Sequence, residues 1–436
     1  MKKVLALLLA LSLVFALVAC GEPTPAETTP PADTGAPTAV APPTEPDIDP
    51  NADIDSGDQP LDKVGYYDPD YDYSQNKKFK VIYVCIGYND LNADFNASFA
   101  HWASLSNVQY DGYWSADSNE ALLTQLPTLK EQGYDGVLLD PDMMQFPQIA
   151  EVCDSIGLQW MGCMGQALAW TPEIVPAGLL HPYVGFSHVE FGARLANRLI
   201  QYSNDTWADA DLATNVGFIG VDMSTSPPLH QRVEGAQAAW AAAGGNPDSF
   251  FATDVGGDMT VQAAQNVVES CIALNSTYEY WLIVGVIEDF ADGAANAIDN
   301  VFGNADNAAI GTIGGKKLAA KWDEGIDSAW RFVLDSPTPF YAEPLFFALY
   351  AFMSGQATPE TIWPSWVDKN PALVPLFGDT YAQLNIPAYF QTKETYKELL
   401  TWANLYTRSS IYPYSEPGVT INSYPSRVSI PDSYKG

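Results

Sequence analysis

Polar and aromatic side chains follow several apolar stretches of the sequence that have the length of β-strands. The first stretch, Lys80–Ile86, is followed by Tyr88, Asp90, Asn92 and Phe95. Carboxylate, amide and guanidinium groups form paired hydrogen bonds with hydroxyl groups, and aromatic rings stack on apolar C–H faces. The full set of candidate binding residues is Tyr88, Asp90, Asn92, Phe95, Asp142, Gln166, Trp170, Arg232, Glu288 and Asp289. These residues predict a polar binding site beyond the ends of the strands.

Several of these candidates also have a purely structural interpretation. Phe95 stands where a helix begins and could pack into the core beneath it. Trp170 could pack at a hinge, and Arg232 could form an ion pair on the surface or between domains. Asp289 could cap a helix N-terminus, and Asp140 is better explained by turn formation than by ligand binding. At the level of sequence these alternatives stay open.

Motifs of known catalytic sites are incomplete or missing in this sequence. Gly185-x-Ser187-x-Val189 lacks the final glycine of a hydrolase nucleophile elbow. The chain contains no phosphate-binding loop, no dinucleotide-binding glycine motif and no His-Glu-x-x-His helix. Its four histidines are scattered, and its five cysteines include no Cys-x-x-Cys pair. We therefore expect no enzyme, no metal and no cofactor, although chance could still pair two carboxylates as in a glycosidase.

Strand-length apolar stretches alternate with helical stretches through most of the chain, in two consecutive units. The predicted strands are 80–86, 108–113, 136–139 and 158–161 in the first unit and 216–221, 250–253, 281–286 and 308–313 in the second. This alternation predicts right-handed crossovers and parallel sheets that are covered on both faces. Ligands bind beyond the carboxyl ends of the strands in such sheets. Two facing units would therefore enclose a cleft that the candidate residues line.

The acidic composition excludes two classes of partner. The 436 residues include 53 Asp and Glu but only 20 Lys and Arg, which gives a formal net charge of −33. Such a surface repels a nucleic-acid backbone and an anionic bilayer. Apolar residues make up 47% of the chain, which is enough to build cores. We therefore expect a globular protein that does not bind nucleic acid.

The first residues are typical of an export signal. Two lysines precede an apolar run, Val4–Val18, that is too short to span a bilayer. The run ends in Leu17-Val18-Ala19-Cys20, which resembles the lipobox of bacterial lipoproteins. That resemblance implies a signal peptide of residues 1–19, a lipid on Cys20 and anchoring outside the cytoplasm, on the outer face of the bacterial cell membrane. Residues 20–76, rich in Pro, Thr and Asp, are expected to form a disordered tether.

Four short motifs share their order and spacing with one protein family. They are Gly133-Tyr-Asp-Gly136-Val-Leu-Leu-Asp-Pro141, Val184-Gly-Phe-Ser-His188 with Gly192 and Ala196, Arg232-x-x-Gly235, and Ala291-x-Gly293-Ala294. Over residues 78–360 the chain resembles the type I periplasmic-binding-protein fold. It is most similar to the ribose/galactose-like sugar-binding lipoproteins that serve ABC importers.

The resemblance implies an α/β fold of two Rossmann-like lobes with parallel sheets joined by a multi-strand hinge. Residues 77–186 and 337–375 would form the N-terminal lobe, residues 187–336 the C-terminal lobe, and residues 376–436 an extension over the hinge and lobes. The implied function is that of a monomeric receptor that closes on a small polar solute, most simply a sugar. It would deliver this ligand to the transmembrane subunits of an ABC permease and contact the membrane through its lipid anchor alone.

The sequence departs from the family at positions where relatives bind sugar hydroxyl groups. Ile287-Glu288 stands where an Asn-Asp pair is common, Gly311-Thr-Ile313-Gly314 lacks the usual Asp, and Cys163-Met-Gly-Gln166 lacks an Asp-Arg pair. The identity of the ligand therefore does not carry over. The two isoleucines favour a less polar ligand, such as a deoxysugar, a nucleoside or an aromatic metabolite. A ligand-sensing subunit for chemotaxis or a sensor kinase, and a surface glycosidase or esterase, stay open as other functions.

Overall fold

Strands and helices alternate along most of the chain. The computed structural model describes residues 64–141, 145–163, 182–185, 188–303, 305–336, 338–359, 361–362, 383–385, 388–397 and 400. The predicted signal peptide, Cys20 and the tether as far as residue 63 lie outside the described residues. No helix of the described part combines the length and the apolar character that crossing a membrane requires.

The first lobe contains β1 (Lys80–Ile86), α1 (Asp90–Leu105), β2 (Gln109–Ala116), α2 (Asn119–Glu131), β3 (Gly136–Asp140), α3 (Phe146–Ile156) and β4 (Gln159–Gly162). Its four strands form a parallel sheet in the order β2-β1-β3-β4. Successive residues of a strand point to opposite faces of the sheet. Ile82 and Val84 accordingly pack in the core with α2 and α3, whereas Val81, Tyr83 and Cys85 pack in the core with α1. Burial on both faces explains why β1 is continuously apolar.

The second lobe contains α4 (His188–Thr206), β6 (Val216–Asp222), α5 (Pro227–Ala242), β7 (Phe250–Asp254), α6 (Val261–Leu274), β8 (Tyr280–Gly285), α7 (Glu288–Phe302), β9 (Ala308–Ile313), α8 (Lys316–Asp323), β10 (Trp330–Asp335) and β12 (Tyr389–Gln391). Its six strands form one sheet in the order β12-β10-β9-β8-β6-β7. All of its strands are parallel except β12, which pairs antiparallel with β10. The two predicted α/β units are therefore confirmed, and the second contains strands that the sequence analysis did not predict.

The chain passes between the two sheets more than once. After β10 it continues as α9 (Thr338–Ser354), which packs on α1, β3 and β4 of the first lobe. A short strand, β11 (Gln383–Asn385), then pairs in parallel with β5 (Tyr183–Gly185), which lies between the two units in the sequence. The chain next reaches β12 at the edge of the second sheet. The predicted fold class, two Rossmann-like lobes connected by several segments, is confirmed.

The prediction of a disordered tether is wrong for residues 64–76. Tyr66 and Tyr73 are buried, and the ring of Tyr67 lies 5.5 Å from the ring of Trp102 in α1. The side-chain amide of Asn76 donates a hydrogen bond of 3.0 Å to the Tyr350 hydroxyl in α9. Tyrosine rings bury large apolar areas, so this short aromatic segment has enough contact area to become ordered on the lobe.

Helices α4 and α5 approach each other most closely at two glycines. A Cβ atom added to Gly192 would lie 1.8 Å from the backbone oxygen of Arg232. A Cβ atom added to Gly235 would lie 1.9 Å from the backbone oxygen of Val189. Both distances are far below van der Waals contact, so only glycine permits this spacing of the helices. The two glycines belong to the motifs that carry the family resemblance, and in this structure they serve packing.

Candidate ligand-binding cleft

A polar triad lies where β1 and β3 of the first lobe end. The side-chain amide of Asn92 donates to the hydroxyl oxygen of Tyr83 (2.8 Å) and to Oδ2 of Asp140 (2.7 Å). The Tyr83 hydroxyl donates to the same Asp140 oxygen (3.3 Å). Asn92 is held in place by a reciprocal capping box with Asn89 at the start of α1. Asparagine capping and the parallel register of β1 and β3 thus bring the three side chains together.

Burial raises the pKa of Asp140 to about 6 because it penalises the charged carboxylate. The hydrogen bonds from Asn92 and Tyr83 oppose this increase, since they stabilise the charge. Desolvation and the nearby Asp140 carboxylate raise the pKa of Tyr83 far above its ordinary value, so its hydroxyl keeps its proton. The sequence analysis favoured a turn role for Asp140, but its position in this triad makes it a candidate for ligand binding.

An ion pair joins the two lobes directly. Asp94 lies in α1 of the first lobe, and Lys316 is the first residue of α8 in the second. Nζ of Lys316 lies 2.8 Å from Oδ1 of Asp94, whose side chain is only 10% exposed. Water screens a pair in such a position less than it screens a pair on the open surface. This contact closes the space between the lobes at one point.

Two further acidic side chains lie beside this ion pair. Oδ2 of Asp335, at the end of β10, accepts a hydrogen bond of 2.6 Å from Nε2 of Gln391 in β12. Oε1 of Glu288, at the start of α7, accepts a hydrogen bond of 2.7 Å from the backbone N–H of Lys317. We refer to Asp94, Glu288, Asp335 and Lys316 as the interlobe acidic cluster.

The members of the interlobe acidic cluster influence one another electrostatically. Burial raises the pKa of Asp335 to about 7; the negative charge of Asp94 adds to this increase, and Lys316 opposes it. Burial also raises the pKa of Glu288 to about 7, and the charge of Asp335 contributes in the same direction. Near neutral pH these carboxyl groups therefore exchange between a form that only accepts hydrogen bonds and one that also donates.

Arg232 is buried inside the second lobe and supports the structure there. Its Nε donates to Nδ1 of His188 (3.2 Å), and its Nη1 donates to the backbone oxygen of Val286. Burial and the adjacent guanidinium lower the pKa of His188 well below its ordinary value, so the imidazole is neutral and able to accept. The guanidinium links α4, α5 and the end of β8, instead of the surface or interlobe ion pair considered as its structural alternative.

The structure places the other predicted residues in different surroundings. Tyr88 is 40% exposed and stacks on Tyr113, with 3.9 Å between ring centroids. Phe95 is fully buried and packs in the aromatic core, so its ring is not exposed for stacking on a ligand as the resemblance implied. Asp289 pairs with Lys317, and the N-cap position of α7 belongs to Ile287 rather than to Asp289. The Asp90 side chain, Asp142, Gln166 and Trp170 lie outside the described residues.

Sequence reasoning missed most members of the cleft. Asp94 lies only two residues after Asn92, and Lys316 follows the end of β9, so their positions relative to predicted strands could have identified them. Asp335 and Gln391 end strands that were not predicted. No local signal links Asp94 to the other three residues, because those belong to the second lobe and lie more than two hundred residues later in the sequence.

A second polar group lies at the ends of β6 and β7. Nδ1 of His230 lies 2.7 Å from Oδ2 of the buried Asp222, which raises the pKa of the histidine. The hydroxyl of Ser224 bonds to Asp254. Serine and histidine thus have separate carboxylate partners, unlike the chain of contacts that activates a catalytic serine. Among the residues that the structure describes, no group of three or more His, Cys, Asp or Glu side chains is placed to hold a metal.

Solved structures that resemble this one share its two-lobed architecture. An ABC transporter periplasmic solute-binding protein from Actinobacillus succinogenes 130z with bound D-allose superposes with a TM-score of 0.56 at 16% identity, covering 74% of this chain and 100% of that one. The chain has a type I periplasmic-binding-protein fold. An ABC transporter solute-binding protein from Bacillus halodurans C-125 with bound myo-inositol shares this fold with a TM-score of 0.52 at 14% identity, over 74% of this chain and 98% of that one.

A third structure with the type I periplasmic-binding-protein fold is a periplasmic ribose ABC transporter protein from Conexibacter woesei, with a TM-score of 0.54 at 13% identity over 74% of this chain and 95% of that one. No protein-family model matches the chain, and no curated protein matches it in sequence. The fold suggested by the sequence motifs is confirmed. At such low identity the likeness concerns the fold, so the ligand has to be inferred from the cleft itself.

Proposed function

We propose that this chain is the solute-binding component of an ABC transporter and captures a small polar molecule, most simply a sugar, between its lobes. The observation that carries the proposal is that polar groups from both lobes meet at the carboxyl ends of the strands. In open α/β folds this edge of the sheet is where ligands bind. The similar structures with bound D-allose and myo-inositol support a polyhydroxylated ligand.

Two acceptor atoms beside the cleft have no hydrogen-bond partner within the described part of the chain. They are Oδ1 of Asp140, opposite the oxygen held by Asn92, and Oε1 of Gln391, which is buried. Oδ1 of Asp140 is not fully buried, so a ligand hydroxyl can donate to it, and hydrogen bonds to charged groups contribute about 1.5–3 kcal/mol. Lys316 and the protonated forms of Asp335 and Glu288 supply donors for ligand oxygens.

Ligand capture would proceed by closure of the lobes. A ligand that contacts both lobes stabilises the closed form by the difference between its affinities for the two forms. The Asp94–Lys316 ion pair already links the lobes, so ligand contacts would add to an existing interaction. The proposed lipid on Cys20 would hold this monomeric receptor at the outer face of the cell membrane, close to the permease subunits.

A thermal-shift screen against sugars, polyols, nucleosides and aromatic acids tests the proposal. A ligand at 100 times its dissociation constant should stabilise the fold by about 2.7 kcal/mol. For any hit, Asp140→Asn should weaken binding by about tenfold or more, because hydrogen bonds to charged groups contribute about 1.5–3 kcal/mol. Asp248→Asn removes an equal charge from an exposed site before β7 and should leave the affinity unchanged.

Failure of every compound class to stabilise the protein would contradict the proposal. If a ligand binds the Asp140→Asn and Asp248→Asn variants with the same affinity, its binding site does not include the first-lobe triad. Turnover of chromogenic glycosides or esters by the purified protein would show that it is an enzyme and contradict the proposed receptor function.

A further inference from the structure

A pocket of about 380 Å³ lies in the second lobe, away from the cleft. Its lining includes Arg198, Tyr202, Trp322, Trp330, Phe332 and Lys393. We call it the α4–β10 pocket. Trp330 begins β10 and lines the pocket, whereas Asp335 ends the strand in the interlobe acidic cluster; at about 3.3 Å per residue these two residues lie about 17 Å apart. A volume of this size falls within the range of small-molecule sites.

Aromatic side chains form much of the wall of the α4–β10 pocket. The rings of Tyr202 and Phe332 meet edge to face, with 5.5 Å between their centroids. Trp322 packs against Tyr396, which follows β12, and fixes this side of the pocket. Aromatic walls favour a flat ligand, because a ring can stack on or meet them edge-on.

Arg198 supplies a cationic group that has no carboxylate partner among the described residues. Its guanidinium carbon lies 5.0 Å from the centre of the Phe332 ring, and its Nη1 donates to Oε1 of Gln201 at 2.9 Å. By contrast, Arg331 in the same pocket pairs with Asp327 at 3.3 Å. In a protein with a formal net charge of −33, an arginine without an acidic partner leaves a local site for an anion.

The hydroxyl of Tyr202 likewise makes no hydrogen bond to the described residues, so it can donate to the same anion. Asp205, Asp327 and Glu394 also line the pocket and are exposed. Their charges repel a dianion more strongly than a monoanion. The charge pattern therefore suits a ligand with one negative charge.

We propose that the α4–β10 pocket binds a small organic monocarboxylate with a planar ring. The carboxylate pairs with Arg198 and accepts from the Tyr202 hydroxyl, while the ring packs on the aromatic wall. This site is separate from the cleft and does not depend on the solute that the cleft binds.

Isothermal titration of the full-length chain with benzoate tests this proposal. Benzoate should bind at millimolar concentrations, and Arg198→Gln should weaken binding by at least about tenfold, as expected for the loss of a charge-assisted hydrogen bond. Lys78→Gln, the matched control, removes the same charge from an exposed site in the first lobe and should leave benzoate binding unchanged. Inorganic phosphate should give no binding heat at the same concentrations.

A second variant tests the pocket independently in case Arg198→Gln fails to fold. Tyr202→Phe keeps the ring and removes only the hydroxyl, so it should weaken benzoate binding by about fivefold at unchanged thermal stability. Three results would overturn the proposal: no benzoate binding, benzoate affinity that neither pocket variant changes, or phosphate binding as tight as benzoate binding.

Discussion

Two close contacts of this molecule have opposite character. The glycine contact between α4 and α5 lies inside the second lobe, is made by backbone atoms and leaves no room for a side chain. The Asp94–Lys316 contact lies between the lobes, is made by charged side chains and is partly exposed. Packing inside a lobe tolerates almost no change, whereas a contact between lobes can break and form again without unfolding either lobe.

The difference bears on how motifs are interpreted. Arg232 and Gly235 belong to one motif that resembles a sugar-binding family, and in this structure both support the packing of the second lobe. The groups that face each other across the cleft, Asp94 and Lys316, belong to none of the matched motifs. A motif shared with a binding protein can therefore indicate the fold without indicating the ligand.

The largest effect is expected from Gly235→Ala. The added methyl group collides with the backbone of α4, so the free energy of unfolding should fall by about 3 kcal/mol. Urea denaturation measures this change. Gln237→Ala, on the exposed face of the same helix, should change the free energy by less than about 0.5 kcal/mol. Equal stability of both variants would show that α4 and α5 can move apart at little cost.

Arg232→Met should lower the free energy of unfolding by about 2 kcal/mol, because it leaves the Val286 carbonyl and His188 without this donor. Chemical denaturation and ligand titration of the same preparation separate two roles of Arg232. If Arg232→Met has normal stability but no longer binds ligand, Arg232 contributes to ligand binding, and its assignment to packing is contradicted.

The contribution of three buried carboxyl groups to stability should fall as the pH rises from about 4 to about 7. The folded chain holds the protons of Asp140, Glu288 and Asp335 up to pKa values of about 6, 7 and 7, whereas the unfolded chain releases them near pH 4. For Asp140 alone the difference corresponds to at most about 3 kcal/mol. Asp140→Asn should therefore flatten the pH dependence measured by denaturation, and Asp248→Asn should not. An unchanged slope in Asp140→Asn would show that this carboxyl is ionised throughout.

Lys316→Gln should have the smallest effect on stability, less than about 1 kcal/mol, because the ion pair is partly exposed. Its effect should instead appear in the shape of the protein, as a larger radius of gyration in small-angle scattering without ligand. Lys321→Gln is the matched control, since Lys321 lies in the same helix but pairs with Asp292 inside the second lobe. Identical scattering of both variants would mean that the Asp94 contact does not hold the lobes together.

Much of the fold could be predicted from local patterns. β1, β3, β6, β8 and β9 are continuous apolar runs between breaks, because parallel strands are buried on both faces. β10 escaped prediction because Arg331 and the terminal Asp335 interrupt its apolar pattern. The aromatic segment at 64–76 escaped prediction because its neighbours in the sequence have the composition of a linker.

The sequence by itself determined the class of this protein: an acidic α/β chain of two similar units, with side chains suited to hydrogen bonding after its strands. Hydrophobic periodicity and composition are local properties, so short stretches of sequence are enough to reveal them. Tertiary structure alone decided which polar groups meet. Glu288, Lys316 and Asp335 belong to the second lobe, and Asp94 joins them only when the two lobes face each other. Burial there, which no sequence pattern encodes, raises the pKa of Glu288 and of Asp335.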